Sequence, residues 1–260
     1  MTPTWEFTGD EFDALWFGIE AEDMPSPFIH TSEPRSADEA QFVRRRDWAA
    51  IQQRWGHELD EIIDVLTRPD IRVIVRGYGG VTRIDDPARS VRMLAVRKGE
   101  VGYLVRQRPG RTIYHADGFE VTRHGALTLG DVIADQLPQV PAGRGQEIRL
   151  DEPGHDQLDH NYGRSLVQHY DDDAAVRTMT FQQAPVDRGG FIDIEQGWSR
   201  FGPRGVVRLR LGWRDLTDDG RYVVVPGTPP VAVGADRRRV VSLVNAQIAE
   251  VVRAIRDDRA

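Results

Sequence analysis

The last quarter of the chain, residues 205–258, constrains the fold most, because it combines two strands, a tight turn and a long helix. Over residues 207–213 apolar side chains alternate with arginine and glycine, which is the period of a half-buried strand. The Asp-Asp-Gly sequence at 218–220 predicts a hairpin turn, since glycine accepts the positive φ that a tight connection requires. Residues 221–225 are then the returning strand.

One long helix follows these strands. Asp236 can cap its N-terminus, and apolar residues then recur mostly at three- and four-residue intervals. Such a stripe has to be buried, so we expect the helix to pack against a sheet. The stripe consists of Val241, Val244, Ile248, Val251, Val252 and Ile255.

Composition places the chain among globular proteins with a sizeable core, at 260 residues and 40% hydrophobic content. The sequence has no long apolar run and no basic segment followed by an apolar one near its start. We therefore expect no membrane insertion, no signal peptide and a cytoplasmic location. The absence of cysteine excludes disulfides and a cysteine nucleophile. A net charge of −7, with arginines scattered among acidic residues, predicts no nucleic-acid partner.

The remaining sequence is helical first and strand-rich afterwards. Capping boxes beginning at Thr8 and Ser36 predict helices in the first quarter. Short turns separate the later strands, which indicates antiparallel neighbours. We predict strands at 71–76, 91–96, 101–107, 112–115, 119–122, 147–150, 176–182 and 190–196.

A spacing pattern indicates a duplication. Asp-Gly-x-x-Val-x-x-x-Gly occurs from Asp117 and again from Asp219, each time after a strand-rich run and before an amphipathic helix. Convergent turn chemistry is the alternative explanation. The predicted fold class is α+β, with antiparallel sheets in a pseudo-two-fold arrangement, flanking helices and a long C-terminal helix. We expect a single domain, 1–260, with pseudo-repeats of roughly 1–140 and 141–260.

The best candidate metal ligands are His155, Asp156, Asp159, His160 and His169, and Asp156 and His160 would share a helix face. Their neighbourhood is polar, with little apolar material to enclose a site, which favours an exposed connection. We therefore predict no metal, no cofactor and no catalytic residue. The alternative is a metal-dependent or small-molecule enzyme that uses residues 155–169.

The connection 77–90 is the longest in the first strand-rich stretch, and loops of this length are often functional. It carries Tyr78, Val81 and Ile84 between glycines, followed by Asp85 and Asp86. Apolar side chains on an adaptable loop can anchor a protein partner, and Tyr78 is the best candidate. The alternative interpretation is a solvated hairpin end.

Four stretches together carry a resemblance to a known family. They are residues 5–16, with Trp-Glu-Phe-Thr at their start; the helix from Leu129 to Leu137-Pro138; Pro-Ala-Gly-Arg-Gly at 141–145; and Leu-Gly-Trp-Arg-Asp-Leu-Thr-Asp-Asp-Gly-Arg-Tyr at 211–222. The last stretch is the most specific. With these motifs, nearly the whole chain resembles the EspG family, the cytosolic specificity chaperones of type VII secretion in actinobacteria.

This resemblance implies a protein without enzymatic activity that binds the apolar helical tip of a PPE protein in a PE/PPE pair and keeps it soluble until secretion. The contacts would map to 77–90 and to 236–255, including Val244 and Ile248. The loop is shorter than in the family and bears arginine and aspartate, so another type VII substrate is an alternative partner. A further alternative is a self-associating scaffold, a homodimer whose hairpins pair between copies.

Overall fold

Antiparallel strands pair edge to edge into one continuous ten-stranded sheet. The structure is a computed structural model that describes residues 2–20, 24–32, 36–150 and 168–259, without the side chains of 19, 20 and 168–174. The strands are β1 Thr4–Phe7, β2 Ile71–Gly79, β3 Val91–Lys98, β4 Val101–Pro109, β5 Ala116–Gly125, β6 Ile148–Arg149, β7 Val186–Gln196, β8 Arg208–Leu216, β9 Gly220–Val225 and β10 Val231–Gly234. The helices are α1 Gly9–Glu20, α2 Ala37–Trp55, α3 Glu58–Thr67, α4 Leu129–Gln136, α5 Gln168–Gln183 and α6 Arg237–Arg259.

The strand order has pseudo-two-fold symmetry. It reads β1-β5-β4-β3-β2-β7-β8-β9-β10-β6, so each strand of the first half has a counterpart five numbers higher at the mirrored place. The halves join where β2 and β7 pair from Ile71↔Gln196 to Gly79↔Arg188. This confirms the predicted α+β class and the antiparallel pairing, although the strands form one sheet instead of several.

The helices cover the two faces of the sheet differently. On one face, α4 and α6 pack over a core that extends across both halves, from Met93 in β3 to Val233 in β10. On the other face, α1, α2 and α3 cover the first half around Phe12 and Ile62. In the second half of that face, α5 contributes Phe181 to a small cluster with β9 and β10. The middle of this second face, over β7 and β8, therefore lies between helices.

Local signals at the helix ends agree with the sequence. The amide of Glu11 donates to Thr8 Oγ1 at 3.1 Å, and the amide of Thr8 donates to a carboxylate oxygen of Glu11 at 2.8 Å, a reciprocal capping box. Asp236 accepts from the amide of Arg239 at 2.8 Å and so caps α6. These side chains fix where α1 and α6 begin.

Two predicted strands are wrong, one strand is longer than predicted and one strand is additional. Residues 112–115 form the loop of the β4–β5 hairpin, which the amide of Gly110 closes by donating to the carbonyl of His115. Residues 176–182 belong to α5, in which Thr178 and Phe181, three residues apart, are buried together as on one face of a helix. Residues 77–79 extend β2, and β10, a strand within the proline-rich link, was missed.

The repeated Asp-Gly pattern does not mark equivalent strands. Gly118 lies in β5 and Gly220 begins β9, whereas the pseudo-symmetry of the strand order makes β10 the counterpart of β5 and β9 the counterpart of β4. Both glycines have φ near 153°, a conformation that side chains disfavour. The shared pattern thus reflects turn chemistry, while the pseudo-symmetry rests on topology. The division near residue 140 remains a prediction.

We expect one cooperative unfolding transition for the whole chain. The β2–β7 pairing crosses the middle of the sheet, and the end of α6 reaches the first half, where Arg259 contacts Asp70 at 3.1 Å. The two halves therefore lose their main contacts together. Scanning calorimetry checks this expectation, and two well-separated transitions would contradict it.

Candidate partner-binding surface

The connection between β2 and β3 is built from two short 3₁₀ turns, Val81–Arg83 and Pro87–Arg89. Asp86 caps the second turn, because its Oδ1 accepts from the amide of Ala88 at 3.0 Å. Arg188 of β7 donates to the carbonyl of Ala88 at 3.3 Å. The connection is therefore an ordered structure attached to the neighbouring strand.

The end of β2 and this connection hold apolar side chains in solvent. Val81 is 95% exposed, and Ile84 and Tyr78 are also exposed. The three side chains line one side of a groove with a volume of about 640 Å³. An ordered connection with exposed apolar residues at a groove is the feature expected of a binding surface.

The rest of the groove comes from β7, β8 and the end of β9. Cross-strand neighbours run from Phe191 to Gly212 to Val224. Successive side chains along a strand point to opposite faces of the sheet. Ile192 and Trp213, which follow Phe191 and Gly212, pack under α6, so the row of Phe191, Gly212 and Val224 lies on the other face. The lining residues contributed by these strands and by the proline-rich link are Val186, Gly189, Gly190, Phe191, Arg210, Gly212, Trp213, Arg214, Val224, Pro226 and Pro230.

Glycines create the depth of the groove. Gly189 lies opposite Tyr78 in the register, and Gly212 lies between Phe191 and Val224, so two positions of the floor carry no side chain. A Cβ added to Gly212 would meet Val224 at an ordinary 3.4 Å, so the backbone there does not itself require glycine. The absence of a side chain at this position leaves space over the sheet.

Ion pairs border the apolar part of the groove. Asp193 is buried and binds Arg210 through two hydrogen bonds, with Arg76 at 3.6 Å on its other side. The hydrogen bond to Asp193 raises the pKa of Arg210 above its ordinary value. The Arg210 guanidinium also lies over the Phe191 ring, 4.8 Å from its centre. These contacts hold Phe191 and Arg210 in place at the groove.

The structure brings only part of the predicted site together. Tyr78, Val81 and Ile84 meet at the groove. Asp85 is exposed beside them, and Asp86 serves as a helix cap. We place these five residues in a candidate partner-binding surface, which remains a prediction.

Val244 and Ile248 are corrections to the predicted site. They are 0% and 8% exposed and pack in the core beneath the sheet. The apolar stripe that suggested a contact surface is the stripe by which α6 is held to its own chain. These two side chains are therefore not available to a partner.

Sequence reasoning missed the contribution of β7 and β8. The sequence around Phe191 and Gly212 predicts ordinary strands. These residues lie near Tyr78 because of the long-range pairing of β2 with β7. One signal was present: Gly189-Gly190 and Gly212 interrupt strand patterns, and glycine inside a strand often marks a close approach. Gly190 meets this expectation, because a Cβ there would lie 1.8 Å from the carbonyl oxygen of Arg76.

Residues 155–167 of the predicted alternative metal site lie outside the described residues, and the side chain of His169 is likewise not described. In the part of the chain that the structure describes, no group of three or more histidine, cysteine, aspartate or glutamate side chains could hold a metal ion. No helix within the described ranges is long and apolar enough to cross a membrane.

Comparison with known proteins identifies a family and solved structures of similar fold. The family model described as the EspG family matches residues 8–257. The chain is similar in fold to the Mycobacterium tuberculosis type VII secretion system chaperone EspG5, solved in complex with a PE25–PPE41 dimer, with a TM-score of 0.55 and 11% identity. That alignment covers 94% of this chain and 95% of EspG5. No curated protein matches the sequence.

Proposed function

The chain belongs to the EspG family, and from this membership we propose that it is a type VII secretion chaperone whose partner is a PE/PPE-type protein pair. The observation that carries the proposal is the apolar groove formed by Tyr78, Val81, Ile84 and Phe191 on the exposed middle of the sheet. A solved structural neighbour, EspG5, was determined with a PE25–PPE41 dimer, which supports the class of partner.

We propose that the groove takes apolar side chains from the helical tip of the partner. Its volume of about 640 Å³ is enough for several side chains. Phe191 and Val224 would contact them from both sides, and the bare position at Gly212 lets a side chain approach the backbone. Burying apolar area stabilises such a contact by roughly 25 cal/mol per Å² before the costs of association.

The mechanism that follows is occlusion. An apolar tip exposed in the cytoplasm would aggregate, and a chaperone that covers it keeps the substrate soluble until it is handed over. This role requires binding and release and no bond-making chemistry. We therefore propose that the protein is not an enzyme and acts in the cytoplasm.

Co-expression with a PE/PPE pair encoded in the same genome tests this function. We expect a soluble ternary complex on size-exclusion chromatography, and precipitation of the pair when the chaperone is omitted. A pair that stays soluble alone and elutes apart from this protein would contradict the proposal. A protein that forms a stable complex with another type VII substrate, and none with the PE/PPE pair, would also contradict it.

Replacing Val81 and Ile84 together by aspartate should weaken binding of the PE/PPE pair at least tenfold, about 1.4 kcal/mol. The two new carboxylates would lie in the apolar contact and lose solvation on binding. Both side chains are exposed, so the melting temperature should stay nearly constant. Isothermal titration calorimetry measures the affinity.

Leu127→Asp is the matched control for this double variant, because Leu127 is an exposed apolar residue next to α4 and away from the groove. The control should bind like the parent. If the double variant also binds like the parent, the β2–β3 connection is not the recognition element.

A further inference from the structure

The pseudo-symmetry points to a second connection that the proposed function does not use. The counterparts of β2 and β3 are β7 and β8, so residues 197–207 occupy the place equivalent to the β2–β3 connection. Because β2 and β7 are antiparallel, with Ile71 opposite Gln196, this second connection lies at the other end of the central strand pair. It is therefore separate from the groove.

Two aromatic side chains of this connection are in solvent. Trp198 is 71% exposed and Phe201 is 67% exposed. Single exposed apolar residues are common, but two large rings three residues apart on one short connection form a local patch. Aromatic rings with few rotatable bonds are frequent anchors of protein contacts.

Buried polar groups hold this connection rigidly. Gln196 is buried, and its side-chain amide donates to the carbonyl of Trp198 at 2.7 Å and to Asp258 of α6 at 2.8 Å. Ser199 is buried as well, and its Oγ accepts from the amide of Phe201 at 3.3 Å. Hydrogen bonds from Ser199 and Gln196 lower the pKa of Asp258. The rings are thus presented by a fixed framework and would lose little entropy on binding.

Three arginines lie around the rings, together with the carboxylates of Glu195 and Asp258. Arg200, Arg204 and Arg208 are all exposed, in a chain whose net charge is −7. Arg208 contacts Glu195 at 3.7 Å, and the Arg200 guanidinium lies 4.9 Å from the centre of the Phe201 ring. Arg204 forms no salt bridge with any residue that the structure describes. Arginines therefore outnumber carboxylates beside the two aromatic rings.

We propose that the connection 197–207 is a second binding surface, which takes an acidic protein segment carrying an apolar side chain. The rings would bury the apolar side chain, and the arginines would pair with carboxylates around it. Charge complementarity favours an acidic occupant. Screening limits the effect of exposed charges to a Debye length of about 8 Å, so the arginines of the connection act on the occupant more strongly than the distant acidic residues of the chain do. An anionic bilayer is a less suitable occupant, since its extended surface would also meet the acidic remainder of the chain.

Two synthetic amphipathic peptides test the proposal on the full chain. They carry leucine at the same positions and differ only in having glutamate or lysine between the leucines. We expect the glutamate peptide to bind with a Kd on the order of 100 µM and the lysine peptide at least about tenfold more weakly. Binding of the glutamate peptide should weaken as salt is added.

Variants locate the contact. Trp198→Ala with Phe201→Ala should weaken binding of the glutamate peptide at least about tenfold. Arg204→Glu should reduce the preference for the glutamate peptide, and Leu127→Ala should leave binding unchanged. The Val81 and Ile84 double variant should also bind the peptide normally, which separates this proposal from the PE/PPE groove.

Several results would overturn the second surface. Equal binding of the two peptides would exclude charge selection, and undiminished binding by the Trp198 and Phe201 double variant would place the contact elsewhere. Association with phosphatidylglycerol vesicles that requires Trp198, in the absence of binding to either peptide, would identify a membrane contact instead. Failure of the PE/PPE pair to bind leaves this peptide test unaffected.

Discussion

Replacing Arg221 by methionine should lower the free energy of unfolding by about 3–5 kcal/mol, because it leaves a buried carboxylate without its partner. The side chains of Arg221 and Asp215 are each 4% exposed and form two hydrogen bonds, of 2.6 and 2.8 Å. Arg221 also donates to the carbonyl of Pro138 at 2.9 Å, next to the link between the halves. Urea unfolding followed by circular dichroism measures the change.

Two further variants control this result. Arg237 pairs with Asp131 and Asp135 at the surface, where water screens the charges, so Arg237→Met should destabilise the protein far less than Arg221→Met. Combining Arg221→Met with Asp215→Leu removes the stranded charge and should recover much of the lost stability. If Arg221→Met and Arg237→Met destabilise the protein equally, the buried pair does not have the role described.

Replacing Gly212 by leucine should abolish most PE/PPE binding, by at least about a hundredfold or 2.7 kcal/mol, while leaving the fold intact. The new side chain would rise from the groove floor between Phe191 and Val224 and occupy the space proposed for the partner. Its Cβ has room, with Val224 at 3.4 Å, so stability should change little or increase. Calorimetric titration and a thermal melt on the same sample separate the two effects.

Gly190→Ala is the contrasting variant, because its Cβ would lie 1.8 Å from the backbone oxygen of Arg76 and must displace it. This variant should lose stability, in contrast to Gly212→Leu. Normal partner binding by Gly212→Leu would show that the groove is not where the substrate tip is held.

The sequence predicted the elements whose signals are local. The cap at Asp236 and the hairpin at 218–220 depend on a few adjacent residues, and both are found. The faces of the sheet depend on pairings between distant residues, such as Gly77 with Gly190, and no short pattern reports them. For this reason the sequence predicts two roles for the apolar stripe of α6, burial in the core and contact with a partner. The structure shows that Val244 and Ile248 are buried in the core.

The motifs that carry the family resemblance lie against each other in the fold. The amide of Gly145 donates to the Tyr222 hydroxyl at 2.8 Å, and the amide of Arg144 donates to Asp219 at 2.8 Å. Gly143 packs against the Tyr222 ring, where a Cβ would lie 2.0 Å from a ring carbon. These residues attach the link after α4 to the second half of the sheet. The most recognisable stretch therefore maintains the fold, and the candidate site lies in less distinctive sequence.

Hydrogen–deuterium exchange of this protein, alone and bound to a PE/PPE pair, tests the proposed groove most directly. We expect slower exchange on binding in residues 78–90 and 224–230, which border the groove, and unchanged exchange in 197–207. Protection confined to α1 and α2, or to 197–207, with 78–90 unaffected, would contradict a substrate site on the groove.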